Sequence, residues 1–241
     1  MQTGRSDPSP PPETNKASKQ YLVMRTFAIG DIHGCSVALK RLDSQLRFST
    51  EDTVVLLGDY VDRGPDTKGA LDYIIELQSR CRLIPLRGNH EIMMLRARDD
   101  RSAIMEWEGC GGDETLASYK AQSFADIPAS HWKFLSSTQA YYETKTDFFV
   151  HAGVDPNEAL ADQPDYMLYW EFFEDPAPHR SGKRMICGHT SQKSGRPKNV
   201  GHAVCIDTYA HGGGWLTCLE MKSDRYWQAN QQGQLRTGEL E

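Results

Sequence analysis

No run of apolar residues in this 241-residue chain approaches the ~18 needed to cross a membrane as a helix, although 39% of its residues are hydrophobic. The opening segment MQTGRSDPSPPPETNKASKQ has no apolar stretch to serve as a signal peptide, which argues against export by that route. None of the six cysteines (35, 81, 110, 187, 205 and 218) forms a Cys-x-x-Cys pair. Free, mostly buried thiols in a reducing, cytoplasmic setting are the expected state. Cys35 is the one whose oxidation would disturb neighbouring chemistry. Basic runs and aromatic-basic stripes are also missing, and the net charge is −6. A nucleic-acid polymer is therefore excluded as a partner, and nothing draws the chain to an anionic membrane. There is no internal repeat, and a monomer is the default expectation.

What the chain does have is five short apolar runs, each ending on a residue able to hold a metal or a phosphate beside a glycine: TFAIGDIHG (26–34), TVVLLGDYVDRG (53–64), LIPLRGNHE (83–91), DFFVHAG (147–153) and RMICGHT (184–190). Such runs read as buried strands, and a glycine at the exit lets the backbone turn towards a ligand. Ligands of open α/β sheets bind beyond the carboxyl ends of the strands. Asp31, His33, Asp59, Asn89, His151 and His189 are thereby aimed at one crevice. Segments 36–48 and 67–80 show helical spacing, so strands and helices alternate and the fold class is α/β. From 91 to 138 the pattern is helical, with a turn at CGGDE (110–114), and reads as a cap over the core or a wall of the substrate groove. After 139, YYETKTDFFVHAG, AVCID, WLTCLEM and RYWQA read as strands of a second sheet.

Two carboxylates, three imidazoles and one carboxamide offer oxygen and nitrogen donors without thiolate, a set suited to manganese, iron or zinc. Six donors exceed what one ion takes. Two ions bridged by Asp59 would use them, with Asp31 and His33 on one and Asn89, His151 and His189 on the other. GDIHG, GDYVDRG, LRGNHE, HAG and GHT together resemble the successive motifs of the phosphoprotein phosphatases, the metal-dependent Ser/Thr protein phosphatases, in their compact bacterial and phage form. The resemblance implies the calcineurin-like metallophosphoesterase fold, an α/β/β/α sandwich of two mixed sheets flanked by helices, with the same six ligands around two divalent ions, Mn2+ first among the candidates. It also implies a phosphorylated protein substrate. In this scheme two ions, two carboxylates and a bridging hydroxide leave +1 facing a phosphate dianion, and Arg63 evens the balance.

Loss of a serine or threonine alkoxide requires a proton. His90, next to Asn89, is the candidate acid, with Asp62 orienting it. In an extended backbone the two neighbouring side chains would point apart. Arg63 would bind phosphoryl oxygens with its planar fork. The second phosphate-binding arginine of the resembled family has no counterpart after Trp170, where Glu171 and Phe172 follow, so Arg180 and Arg184 are the substitutes in reach. Tyr209 and His211, on the glycine-rich segment IDTYAHGGGW (206–215), could reach the site mouth, although a hairpin with solvent-facing side chains is the simpler reading. His131, His179 and His202 read as surface or turn residues.

The expected organisation is a disordered N-terminal tail (1–20) whose Pro10–Pro12 run could bind a partner domain, a catalytic domain (21–231) and a C-terminal tail (232–241). The expected activity is hydrolysis of phosphoserine and phosphothreonine in proteins by direct attack of a metal-bound hydroxide, extending to phosphotyrosine and small aryl phosphates. Diadenosine tetraphosphate hydrolysis is the alternative. An inactive phosphate-binding scaffold would show the loss of a ligand or of the acid, and none is missing.

Overall fold

The computed structural model describes Met1 and residues 24–241; the expected N-terminal tail lies outside the described residues. The chain runs β1 (Thr26–Ile29), α1 (Ser36–Leu46), β2 (Thr53–Leu56), α2 (Thr67–Leu77), β3 (Arg82–Pro85) and α3 (Asn89–Asp99). A helical insertion follows, with α4 (Ile104–Trp107), α5 (Asp113–Tyr119) and α6 (Ala129–Ser136). Then come β4 (Tyr141–Glu143), β5 (Asp147–Val150), α7 (Asp165–Trp170), β6 (Arg184–Cys187), β7 (Lys198–Asn199), β8 (Ala203–Cys205), β9 (Asp207–Thr208), β10 (Trp215–Glu220), β11 (Arg225–Ala229) and β12 (Leu235–Glu239).

Two mixed sheets result. One has the order β12-β11-β10-β1-β2-β3 with β9 paired to β10, and the other has the order β4-β5-β6-β8-β7. Within them β1, β2 and β3 are parallel, as are β5, β6 and β8. Alternation along each strand sorts the side chains. Ala28, Val55, Ile84, Phe149, Ile186 and Val204 fill the space between the sheets. Phe27, Ile29, Val54 and Leu56 face the other way, onto α1 and α2 residues such as Leu39 and Ile74. Phe148, Val150 and Met185 pack outward on Leu168 and Tyr169 of α7. The layering is α/β/β/α.

Several details differ from the sequence reading. WLTCLE and RYWQA do not join the second sheet: β10 pairs antiparallel with β1, and β11 with β10. A strand pattern specifies a half-buried face but not the neighbour that covers its edge. Residues 235–239, expected in a tail, form β12 along β11. There Arg236 donates to Gln228 Oε1 at 2.6 Å and stacks on Trp215 at 4.2 Å, so ladder bonds and a cation-π contact hold a largely polar sequence, with Leu235 packed against the core. His131 is buried, with Nε2 2.9 Å from Asp72 Oδ1 and Nδ1 2.5 Å from the Tyr119 hydroxyl. His179 is buried too, bonded to Ser181 Oγ and the Glu158 carbonyl, whereas His202 is half-buried against the Pro176 carbonyl.

Removing residues 233–241 should strip the outer edge from β11 and lower stability by about 1–3 kcal/mol, in line with lost cross-strand pairs. Thermal unfolding monitored by circular dichroism would show this as a lower midpoint, and an unchanged midpoint would mean that β12 adds nothing.

Candidate metal centre

The five strand exits meet at one end of the two sheets. Asp31 and His33 follow β1, Asp59 follows β2, Asn89 opens α3 after β3, His151 follows β5 and His189 follows β6. Close approach fixes two glycines there. A Cβ on Gly88 would lie 2.1 Å from Asp59 Oδ1, and Gly58 turns at φ +102°. Nine described non-glycine residues have positive φ, and six of them, His33, Asp59, Asp62, Arg63, His189 and Tyr209, are sequence-predicted site residues. Such backbone strain, about 1–3 kcal/mol per residue, persists only where surrounding contacts over-determine it.

Glu91 supplies much of that determination. Its carboxylate accepts from the backbone amides of Gly88, Asp59 and Tyr60, each at 2.8 Å, tying the α3 N-terminus to the Asp59 turn. Burial, and then the neighbouring Asp59 carboxylate, push the Glu91 carboxyl up to about 8. The sequence reading quoted Glu91 within LRGNHE but gave it no role.

Around Asp59 the donors form two groups, His33 with Asp59 and His90, and Asp59 with His151 and His189, the candidate ligand atoms of each lying within 4.8 Å of one another. His33 Nδ1 lies 2.8 Å from the Val61 carbonyl and His151 Nδ1 2.8 Å from the Leu57 carbonyl. A carbonyl can only accept, so each ring carries its proton on Nδ1 and turns the Nε2 lone pair inward. Those Nε2 atoms lie 3.3 Å and 3.4 Å from the Asp59 carboxylate oxygens, and His151 Nε2 is 3.0 Å from Asn89 Oδ1. His189 Nδ1 is 3.2 Å from the same Asn89 oxygen. Lone pairs pointing at carboxylate and carbonyl oxygens repel one another, and a divalent cation is the partner that satisfies all of them. Among the described residues the buried His189 Nε2 has no hydrogen-bond partner, which fits the same conclusion, and the buried His90 Nε2 is also unpartnered and open to the site.

Charge in the site is unevenly held. Burial raises the Asp31 carboxyl well above its ordinary range, helped by Asp207 and Asp59. Burial also works against Asp59, but His151, His90 and His33 outweigh it and hold that carboxyl well below its ordinary value. Burial, with His151 adding to it, depresses His189 to about 4. Asp31 stands outside both donor groups and accepts from the His189 amide at 3.0 Å. The backbone at Asn89 and His90 is the first turn of a helix rather than extended, so about 100° of rotation per residue, not strand alternation, separates the two side chains.

His90 Nδ1 is 2.8 Å from Asp62 Oδ2. Asp62 also accepts from Trp107 Nε1 at 3.0 Å and from Thr115 Oγ1 at 2.8 Å, and its own amide donates back to Thr115 Oγ1. The helical insertion thus braces the His90–Asp62 pair, a role that no local pattern at Trp107 or Thr115 signals. The insertion also turns Arg63, whose amide donates to the Gly111 carbonyl at 3.0 Å. The Arg63 side chain is exposed, with Nη1 3.4 Å from His33 Nε2, and no carboxylate pairs with it among the described residues.

Neither substitute arginine reaches the site. Arg180 is exposed and donates to the Asn157 carbonyl. Arg184 begins β6, at the end opposite His189, and is held by Asp147 at 2.8 Å and Asp224 at 2.6 Å. Tyr209 lies in the β9–β10 hairpin, its ring 4.8 Å from that of His211. His211 is half-buried rather than solvent-facing: its ring lies 4.7 Å from His33, Nδ1 is buried without a partner among the described residues, and burial with His33 and Arg63 nearby depresses it to about 3. The Cys35 thiol is fully buried and pushed up to about 12 by burial and Asp207, which keeps it protonated and unreactive.

Residues 24–213 match the calcineurin-like phosphoesterase family, well over half of the sequence. The chain belongs to that family. Its fold, two mixed sheets flanked by helices, is shared with a solved cold-active protein-tyrosine phosphatase of a Shewanella species (TM-score 0.63, 17% identity, covering 89% of this chain and 80% of that one). Among curated relatives, a Salmonella typhimurium serine/threonine-protein phosphatase 1 is 42% identical over 104 residues, 41% of this chain and 45% of that protein. A symmetrical bis(5'-nucleosyl)-tetraphosphatase of Pectobacterium carotovorum is 44% identical over 73 residues, 30% of this chain and 25% of that protein. The matches to such relatives thus span less than half of their length. No helix among the described residues is long and apolar enough to cross a membrane.

Two variants probe the centre. Glu91→Gln replaces an acceptor with a donor opposite three amides and should lower stability by about 1–3 kcal/mol while weakening metal retention; unchanged melting would refute its bracing role. Asp59→Asn should leave purified protein with markedly less bound metal by elemental analysis, since a neutral bridge holds two cations poorly. Full loading of that variant would rule out the bridge.

Proposed function

We propose that the chain is a metal-dependent phosphomonoesterase that hydrolyses phosphoserine and phosphothreonine esters of proteins, with phosphotyrosyl and small aryl phosphates within its range. Asp31, His33, Asp59, Asn89, His151 and His189 would hold two divalent ions, Mn2+ first by donor chemistry, with Asp59 shared. When bound, the ions supply positive charge against the phosphoryl oxygens and lower the pKa of a coordinated water from 15.7 towards about 7. Arg63, exposed and without a carboxylate partner among the described residues, binds phosphoryl oxygens. The observation that carries the reading is the buried His90–Asp62 pair. With Nδ1 bound to the Asp62 carboxylate, Nε2 is the atom left to face the site and hand its proton to the departing oxygen.

That pair also bears on the second reading, a dinucleoside tetraphosphatase, which is favoured by the Pectobacterium relative. Cleavage of a phosphoanhydride releases a nucleotide whose terminal phosphate is a weak base and leaves without a proton donor. A serine or threonine alkoxide is strongly basic and does need one. A buried imidazole braced by a carboxylate, an indole and a hydroxyl therefore supports the ester.

His90→Asn should leave bound metal unchanged while kcat on a phosphoseryl peptide falls roughly 10²-fold or more, as loss of a general acid would predict. Equal turnover by variant and parent would remove His90 from the mechanism. In a side-by-side assay of para-nitrophenyl phosphate, a phosphoseryl peptide and diadenosine tetraphosphate, cleavage of the dinucleotide alone would reject the phosphomonoesterase reading.

A further inference from the structure

Phe172 sits at the mouth of the candidate centre with 61% of its surface exposed. Its ring lies over His189, with centroids 5.5 Å apart and planes tilted by 34°. The segment is fixed rather than loose. Phe173 N donates to Thr190 Oγ1 at 2.8 Å, and the amides of Ala152 and Gly153, just past His151, donate to the carbonyls of Leu168 and Met167. Phe172 also lines a cavity of about 320 Å³ with apolar walls that include Val154, Met167 and Phe173. The charged groups lining it are all acidic: Glu171, Glu174 and Asp175. Arg180 and Arg184 are engaged elsewhere, so neither brings a cation to this wall. The ring presents a face to solvent beside a candidate metal ligand.

We propose that Phe172, with the cavity it lines, is a subsite for the aromatic leaving group of an aryl phosphate monoester, above all a phosphotyrosyl side chain. The proposal rests on the phosphomonoesterase reading and narrows it. In an aryl phosphate the ring is bonded directly to the ester oxygen, so a phosphate bound beside the His189 side of the centre places that ring within reach of Phe172, whose ring covers His189. Offset or edge-to-face contact with the Phe172 ring then adds binding that an alkyl phosphate cannot collect. The three carboxylates repel further phosphate groups, as a dinucleoside polyphosphate would bring, but do not penalise an uncharged ring.

The test compares two peptides of identical flanks, one phosphotyrosyl and one phosphoseryl, on the metal-loaded parent, Phe172→Ala and Phe172→Trp. Phe172→Ala should raise KM for the phosphotyrosyl peptide about three- to tenfold, as expected for one aromatic pair, and shift the phosphoseryl peptide less than about twofold. Phe172→Trp should restore the phosphotyrosyl value. An equal change for both peptides, or none for either, would overturn the subsite. Binding of phenylphosphonate against methylphosphonate by calorimetry gives a readout without turnover. A preference for the phenyl compound that vanishes in Phe172→Ala upholds the subsite even if the parent cleaves neither peptide, and equal binding of the two compounds refutes it. Failure of the phosphomonoesterase reading would instead show as absent turnover of both peptides by the parent.

Discussion

Asp59 holds its carboxylate, 1% exposed, within 4.0 Å of the Nε2 atoms of three imidazoles. A buried anion is tolerated only with opposite charge and directed hydrogen bonds around it. Most of the surrounding architecture answers that demand. Two sheets contribute imidazoles from their strand exits, His33 and His151 donate from Nδ1 to backbone carbonyls, and the chain turns through positive φ at Asp59 itself so that the carboxylate faces inward. Glu91 keeps that turn in place from the far side, through amides rather than through the donors themselves.

A second set of contacts, from the helical insertion, holds His90 and Arg63, the proposed proton donor and phosphate ligand. The helical insertion sends Trp107 and Thr115 to Asp62, and Asp62 sets His90, so the proposed proton donor is positioned by residues distant in sequence. The same insertion turns Arg63 through Gly111, where a Cβ would approach the Arg63 amide to 2.7 Å. Beside His189 the wall is aromatic and acidic rather than cationic, with Phe172 over the imidazole and Glu171, Glu174 and Asp175 lining the adjoining cavity. In the proposed reaction, phosphate binding would lean on Arg63 alone, and discrimination among leaving groups would fall to the Phe172 ring.

The strands, the α/β order and the convergence of Asp59, Asn89, His151 and His189 were legible because apolar run, glycine and donor side chain are adjacent in the chain. Helices at 36–46 and 67–77 were legible for the same reason, since their apolar spacing is local. What escaped was non-local. No pattern within WLTCLE says that its partner is β1, 190 residues earlier, and no composition rule buries His131 against Asp72 or places His211 beside His33. Charge alone made Arg184 a candidate, whereas its position at the wrong end of β6 and its two carboxylate partners remove it.

Anomalous diffraction from crystals of the manganese-loaded protein tests the central claim most directly. The account predicts two peaks roughly 3.5 to 4 Å apart, as in two-metal phosphoesterase sites, with an Asp59 oxygen between them and Asn89, His151 and His189 around one of them. A single peak, or a pair bound away from Asp59, would contradict it.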